Sequence, residues 1–167
     1  MKIEMGESLI YSWLRHEKLC QLVQTNWKVS PFWELENRQE IEDLFVICRN
    51  YFLEKHSFDI SKGCSLEQFL KQAEIDGIGI AYSTEAPYIY AVDVAYHEGG
   101  LNYGGKDETI TKIAQKCIRT ALCLYGYFCM STGEVLFVSP KITPAIETAL
   151  VPLFDEISKH KGNPALQ

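Results

Sequence analysis

Residues 74–98, EIDGIGIAYSTEAPYIYAVDVAYHE, decide the architecture. Two apolar runs, 74–82 and 88–98, flank the short turn STEAP, which is the pattern of a β-hairpin. Side chains alternate along a strand. In the second run Tyr88, Tyr90, Val92, Val94, Tyr96 and Glu98 therefore share one face, and Ile89, Ala91, Asp93, Ala95 and His97 share the other. Asp93 is a carboxylate flanked by alanines, with room above it for a metal, a water or a substrate. In the first run Asp76 is followed by Gly77 and Gly79. An antiparallel register centred between Thr84 and Glu85 sets Asp76 opposite Asp93. Two adjacent carboxylates repel each other. A cation between them removes the repulsion, and Mg²⁺ takes one or two carboxylates together with waters and phosphate oxygens. Hydrogen bonds to nearby backbone amides or to solvent are the other way to satisfy them.

Outward from the hairpin, residues 6–19 carry Leu9, Ile10, Trp13 and Leu14 at helical spacing, and 20–27 reads as a strand. Residues 37–56 form a helix with the stripe Ile41, Leu44, Phe45, Cys48, Tyr51 and Phe52; Asn37 with Glu40 resembles a capping box. Ser65 caps a short helix through Ala73. After the hairpin comes a loop with four glycines, then a helix capped by Asp107. Its apolar stripe is Ile110, Ile113, Ala114, Cys117, Ile118, Ala121, Leu122 and Tyr125. GEVLFVSP (133–140) is expected to be a buried strand. A last helix spans about 144–160, with Pro152 inside it. The expectation is one domain over 1–167: an α/β mixed sheet flanked by helices, with a two-helix insert at about 31–73 after the first strand.

The net charge of −6 excludes a protein that coats nucleic acid by bulk electrostatics, but not a local basic groove. No run approaches the roughly 18 apolar residues of a membrane span, so no membrane partner is expected. The start, MKIEMGESLIYSW, is too acidic and lacks the apolar run of a signal peptide. Six cysteines show no CxxC pair or zinc-like spacing. They read as buried thiols of a reducing compartment, so a cytoplasmic protein is expected.

With Glu7 in the first helix, Asp76 in EIDG and Asp93 in DVA, the chain resembles the restriction-endonuclease-like superfamily, the PD-(D/E)xK nucleases. The resemblance covers about residues 6–140 and rests on element order and these short matches. In that family a glutamate-bearing helix precedes a strand, and a hairpin carries an aspartate and then a (D/E)xK. Ile75 stands here where the family has proline. The resemblance implies a restriction-endonuclease-like fold and a metal-dependent nuclease acting on DNA or RNA in restriction, repair or defence. It implies Mg²⁺ or Mn²⁺ on Asp76 and Asp93, with Glu7 as a third carboxylate, and a nucleic-acid partner. A homodimer or larger complex is a further expectation. The family lysine should stand at Ala95. Its role falls to His97, a histidine that can act near neutral pH, or to Lys112 or Lys116 on the following helix. Otherwise the site is inactive and the domain only binds nucleic acid or protein. Lys112, Lys116 and Arg119 share a helix face that meets phosphates or is simply solvated. The loop GLNYGGKD (100–107) is one residue from a P-loop, with Gly104, Gly105 and Lys106 on phosphate and Asp107 where Ser or Thr should stand. A nucleotide-binding protein is the third reading. As turn formers the glycines need no ligand.

Overall fold

The computed structural model describes residues 2–83, 86–97, 99–130 and 132–159. Among the described residues nine elements follow one another: α1 Lys2–His16, β1 Leu22–Lys28, α2 Arg38–His56, α3 Leu66–Lys71, β2 Glu74–Ala81, β3 Tyr88–Val94, α4 Lys106–Phe128, β4 Gly133–Val138 and α5 Pro144–Lys159. The strands form one mixed sheet in the order β1-β2-β3-β4. The first two pairings are antiparallel and β3–β4 is parallel. A parallel neighbour needs a crossover, which α4 supplies. The α/β sheet flanked by helices and the two-helix insert are as the sequence predicts.

The hairpin register decides which side chains meet. Gly77 pairs with Val92, Ile78 with Ala91 and Ala81 with Tyr88. One step further in this register brings Asp76 across from Asp93. The turn centre, Thr84 and Glu85, lies outside the described residues, as does Glu98. Alternation then sorts β3 between two cores. Val92, with Tyr90 and Val94 packed alongside, joins Ile10, Leu14 and Cys20 beneath α1. Ile89, Ala91 and Ala95 join the larger core with α2, α3, α4 and α5. Asp93 therefore points into the α4 side. Gly77 and Gly79 let α1 lie close on the sheet. A Cβ at Gly77 would stand 2.8 Å from Ile10, and one at Gly79 2.7 Å from the Cys20 sulfur.

Several local expectations are corrected. Asn37 does not cap α2 through its side chain; it adopts a left-handed conformation with φ 51°. Asp107 is not the cap of α4. Gly105 is, and Asp107 sits in the first turn. β3 stops at Val94 rather than 98: the Ala95 N–H still bonds to the Val138 carbonyl, and the chain then turns into the loop, where Gly100 donates to the His97 carbonyl. β4 lies at the sheet edge and is only partly buried. Ser65 does cap α3, in a reciprocal capping box with Gln68. No helix among the described residues is long and apolar enough to cross a membrane. The cysteines are free: Cys20, Cys48 and Cys123 are buried, whereas Cys64 and Cys117 are partly accessible and Cys129 is exposed, against expectation.

Candidate catalytic cluster at the hairpin

Asp93 is 1% exposed, and the room above it is taken by α4. Lys116 Nζ donates to Asp93 Oδ1 at 3.3 Å, and Thr120 Oγ1 donates to Oδ2 at 3.3 Å. Positions 116 and 120 are one helical turn apart, so α4 presents both to one carboxylate. Asp76 Oδ2 accepts the Val94 backbone N–H at 2.6 Å. That is the backbone satisfaction open to it from sequence, and it occupies one oxygen only. Burial raises the Asp93 carboxyl above its usual range, with Lys116 opposing and Asp76 adding to the rise. Burial also raises Asp76; the Val94 N–H and Lys116 oppose, while Glu7 and Glu74 add. For Lys116 burial works downward. The charges of Asp93, Tyr103 and Asp76 outweigh it and hold the ammonium above its ordinary value.

Glu7 reaches the edge of this cluster from α1. Its Oε2 accepts from Asn26 Nδ2 at 3.0 Å. Asn26 stands within β1 at φ 53°, a conformation asparagine tolerates better than most residues. Glu7 is felt by Asp76 through its charge, but no hydrogen bond joins them among the described residues. Among the described residues no three His, Cys, Asp or Glu side chains are placed to share one metal ion. A hard divalent cation needs only one or two carboxylates; Asp76 keeps one oxygen outside its backbone hydrogen bond, whereas at Asp93 a cation would have to take the place of the Lys116 or the Thr120 contact. After Lys116 balances Asp93, the charge of Asp76 is left over.

The other predicted residues are dispersed around this cluster. His97 lies beyond the strand end, edge-on to the Tyr103 ring with centroids 5.0 Å apart. Lys112 binds the Tyr103 carbonyl at 3.3 Å, pairs with Glu108 at 2.9 Å and covers the Tyr103 ring. Arg119 donates to Gln72 Oε1 and to its backbone carbonyl, and stacks over Phe69. The three cations thus share α4 but not one task. Gly104, at φ 123°, donates its N–H to Asn102 Oδ1, and Gly105 accepts from Thr109. Lys106 is exposed and has no ion pair among the described residues. The strand before this loop has an antiparallel neighbour on one side, unlike the parallel sheet expected around a P-loop.

Sequence reasoning missed Thr120 and Tyr103. Thr120 was visible as a buried-side hydroxyl one turn beyond Lys116. Tyr103 offered no sequence signal; its role depends on how the glycine loop folds back. The Thr109 hydroxyl fixes that loop by accepting the Tyr103 N–H at 2.9 Å. Burial raises the Tyr103 phenol, with Asp93 and Asp76 adding to it. Burial also pushes the Cys117 and Cys123 thiols up to about 12 and Cys48 to about 11, which leaves none of the three activated. Comparison with protein-family models, with curated proteins and with solved structures finds no match to this chain.

Proposed function

We propose that this chain is a metal-dependent nuclease with a restriction-endonuclease-like core, in which Lys116 on α4 takes the role of the strand lysine. The observation that carries the reading is the 3.3 Å contact of Lys116 Nζ with Asp93 Oδ1, beside a second carboxylate in register with it. Ala95 is 4% exposed and packed in the main core, so a lysine there would have to bury its charge. A lysine on the covering helix reaches the same carboxylate from the accessible side.

Asp76 and Asp93 would hold Mg²⁺ or Mn²⁺, which when bound polarises a phosphoryl oxygen and acidifies a water. Lys116 stays protonated at neutral pH and so serves as a fixed positive charge near the scissile phosphate rather than as a base. Thr120 fixes the rotation of the Asp93 carboxylate. Glu7 adds negative charge at the rim. The Tyr103 ring and Lys112 close the side facing the glycine loop.

A second reading has its own support. Lys116 and Thr120 engage both oxygens of Asp93, an arrangement that would also satisfy an inactive, nucleic-acid-binding descendant. Phosphodiesterase assays on single-stranded, duplex and branched DNA and on RNA, with Mg²⁺ or Mn²⁺, separate the two. Metal-dependent cleavage is expected from the wild type, with a loss of roughly 100-fold or more in Lys116→Ala and Asp93→Ala. Absence of cleavage by the wild type on every substrate sinks the enzyme reading.

A further inference from the structure

A groove of about 670 Å³ opens beyond the carboxyl ends of the parallel pair β3 and β4. Its polar lining includes His97, Asn102, Lys106 and Thr143, and Leu101 and Ile146 lie on its apolar side. Three properties set it apart. First, no Asp or Glu among the described residues lines it, Glu98 between His97 and Gly99 lying outside them, although the chain carries 22 acids against 16 bases. Second, Lys106 projects there without an ion-pair partner among the described residues. Third, Tyr96 lines it, is 42% exposed as a residue, and stacks on no other ring among the described residues. A cation and an aromatic side chain lining one groove, neither paired among the described residues, are the combination that holds unpaired nucleotides: the ring takes a base and the cation a phosphate.

The groove adjoins the carboxylate cluster. His97 in its wall packs edge-on against Tyr103, whose phenol feels Asp93, Asp76 and Lys116. The His97 and Tyr103 rings thus stand between the groove and the charges of the cluster. The volume is of the order that accepts a small-molecule-sized unit. A base within a duplex is stacked on both sides and would first have to be extruded, whereas an unpaired base enters at little cost.

We propose that this groove is a subsite for an unpaired nucleotide of a single-stranded nucleic acid, with Tyr96 stacking on the base and Lys106 binding the phosphate. His97, Asn102 and Thr143 supply hydrogen bonds, and Leu101 and Ile146 support the sugar. The subsite rests on the nuclease reading only for its placement next to the cleaved bond.

The test is fluorescence-anisotropy titration with labelled oligothymidylate, oligouridylate and a duplex of equal length, in EDTA so that no cleavage occurs. At least one single strand should bind roughly 10-fold or more tighter than the duplex. Tyr96→Ala and Lys106→Ala should each weaken that binding by roughly 10-fold, while Lys71→Ala on the exposed end of α3 leaves it unchanged. Thermal melts establish that the variants are folded. The proposal is overturned if the wild type binds neither single strand, if the duplex binds as tightly, or if either groove variant binds like wild type. Its failure is distinct from failure of the nuclease reading. Tyr96-dependent binding without metal-dependent cleavage keeps the subsite and removes the enzyme. Cleavage with binding indifferent to Tyr96 and Lys106 does the reverse.

Discussion

Lys116 and Asp93 together decide how the centre of the molecule is charged. Lys116→Met leaves a carboxylate that is 1% exposed without its counter-charge. The expected loss is about 2 kcal/mol at neutral pH, less than for a fully buried pair because the lysine side chain is 36% exposed. Denaturant titrations should show the loss shrinking as the pH falls through the raised Asp93 pKa, since the neutral acid no longer needs a partner. Adding Asp93→Asn to Lys116→Met should recover most of it. Replacing Asp76 gives the opposite sign, because no lysine or arginine is bonded to it among the described residues. Its folded pKa lies above the unfolded one, so its charged form opposes folding. Asp76→Asn keeps an oxygen for the Val94 N–H and removes the repulsion toward Asp93. A gain of about 1 kcal/mol, a rise in Tm of roughly 2–4 °C, is expected at pH 7. It should vanish in acid, where the carboxyl is protonated in both states. At this scale the sequence displayed Asp76, Asp93 and their register, because strand alternation is a strict rule. It left open which of His97, Lys112 and Lys116 serves Asp93, because that depends on how a helix is rotated against a sheet.

Among the elements, α1 and α4 hold the site from opposite faces, and they meet the sheet differently. α1 rests on glycines. Gly79→Val would drive a branched side chain into the Cys20 sulfur and Leu14. It should cost about 2 kcal/mol, read as a lower urea midpoint with an unchanged slope. Gly99→Ala, where a Cβ meets open space, should stay within about 0.5 kcal/mol of wild type. α4 is buried over a wider arc than its apolar stripe foretells, taking in Gln115 and Thr120. Each of these polar residues has a partner: Gln115 donates to the Ile60 carbonyl at 2.6 Å, and Thr120 to Asp93. Helix and strand order was legible because the apolar periods are long and clean. The ends were less so. Asn37 and Asp107 have the chemistry of caps, yet neighbouring backbone geometry set aside one and moved the other into the first turn.

Across the whole molecule, charge is distributed against the average. A chain of net charge −6 gathers Lys112 and Lys116 around one cluster and sets Lys106 in a groove where, among the described residues, it has no ion pair and no acid lines the wall. Few phosphates can be neutralised in this way. Single-strand binding should therefore weaken with salt along a log–log slope of only about −1, a measurement that would read several times steeper for a protein that coats nucleic acid. The mixed sheet and its helical layers could be read from the sequence as a whole; the groove could not, since it is bounded by loops after β3 and β4 that meet only in the folded chain. The charged groups of the cluster come from residues 7, 76, 93 and 116, and so are made in that order. A growing chain acquires both carboxylates of the hairpin before the lysine that offsets one of them, and domains take shape as their segments are completed. Until α4 emerges, Asp93 lacks the lysine that offsets it in the folded chain. Chains stalled before residue 106 should be cut readily by protease within 74–94, whereas completed chains resist. The order of synthesis thus places the offsetting charge of the cluster last.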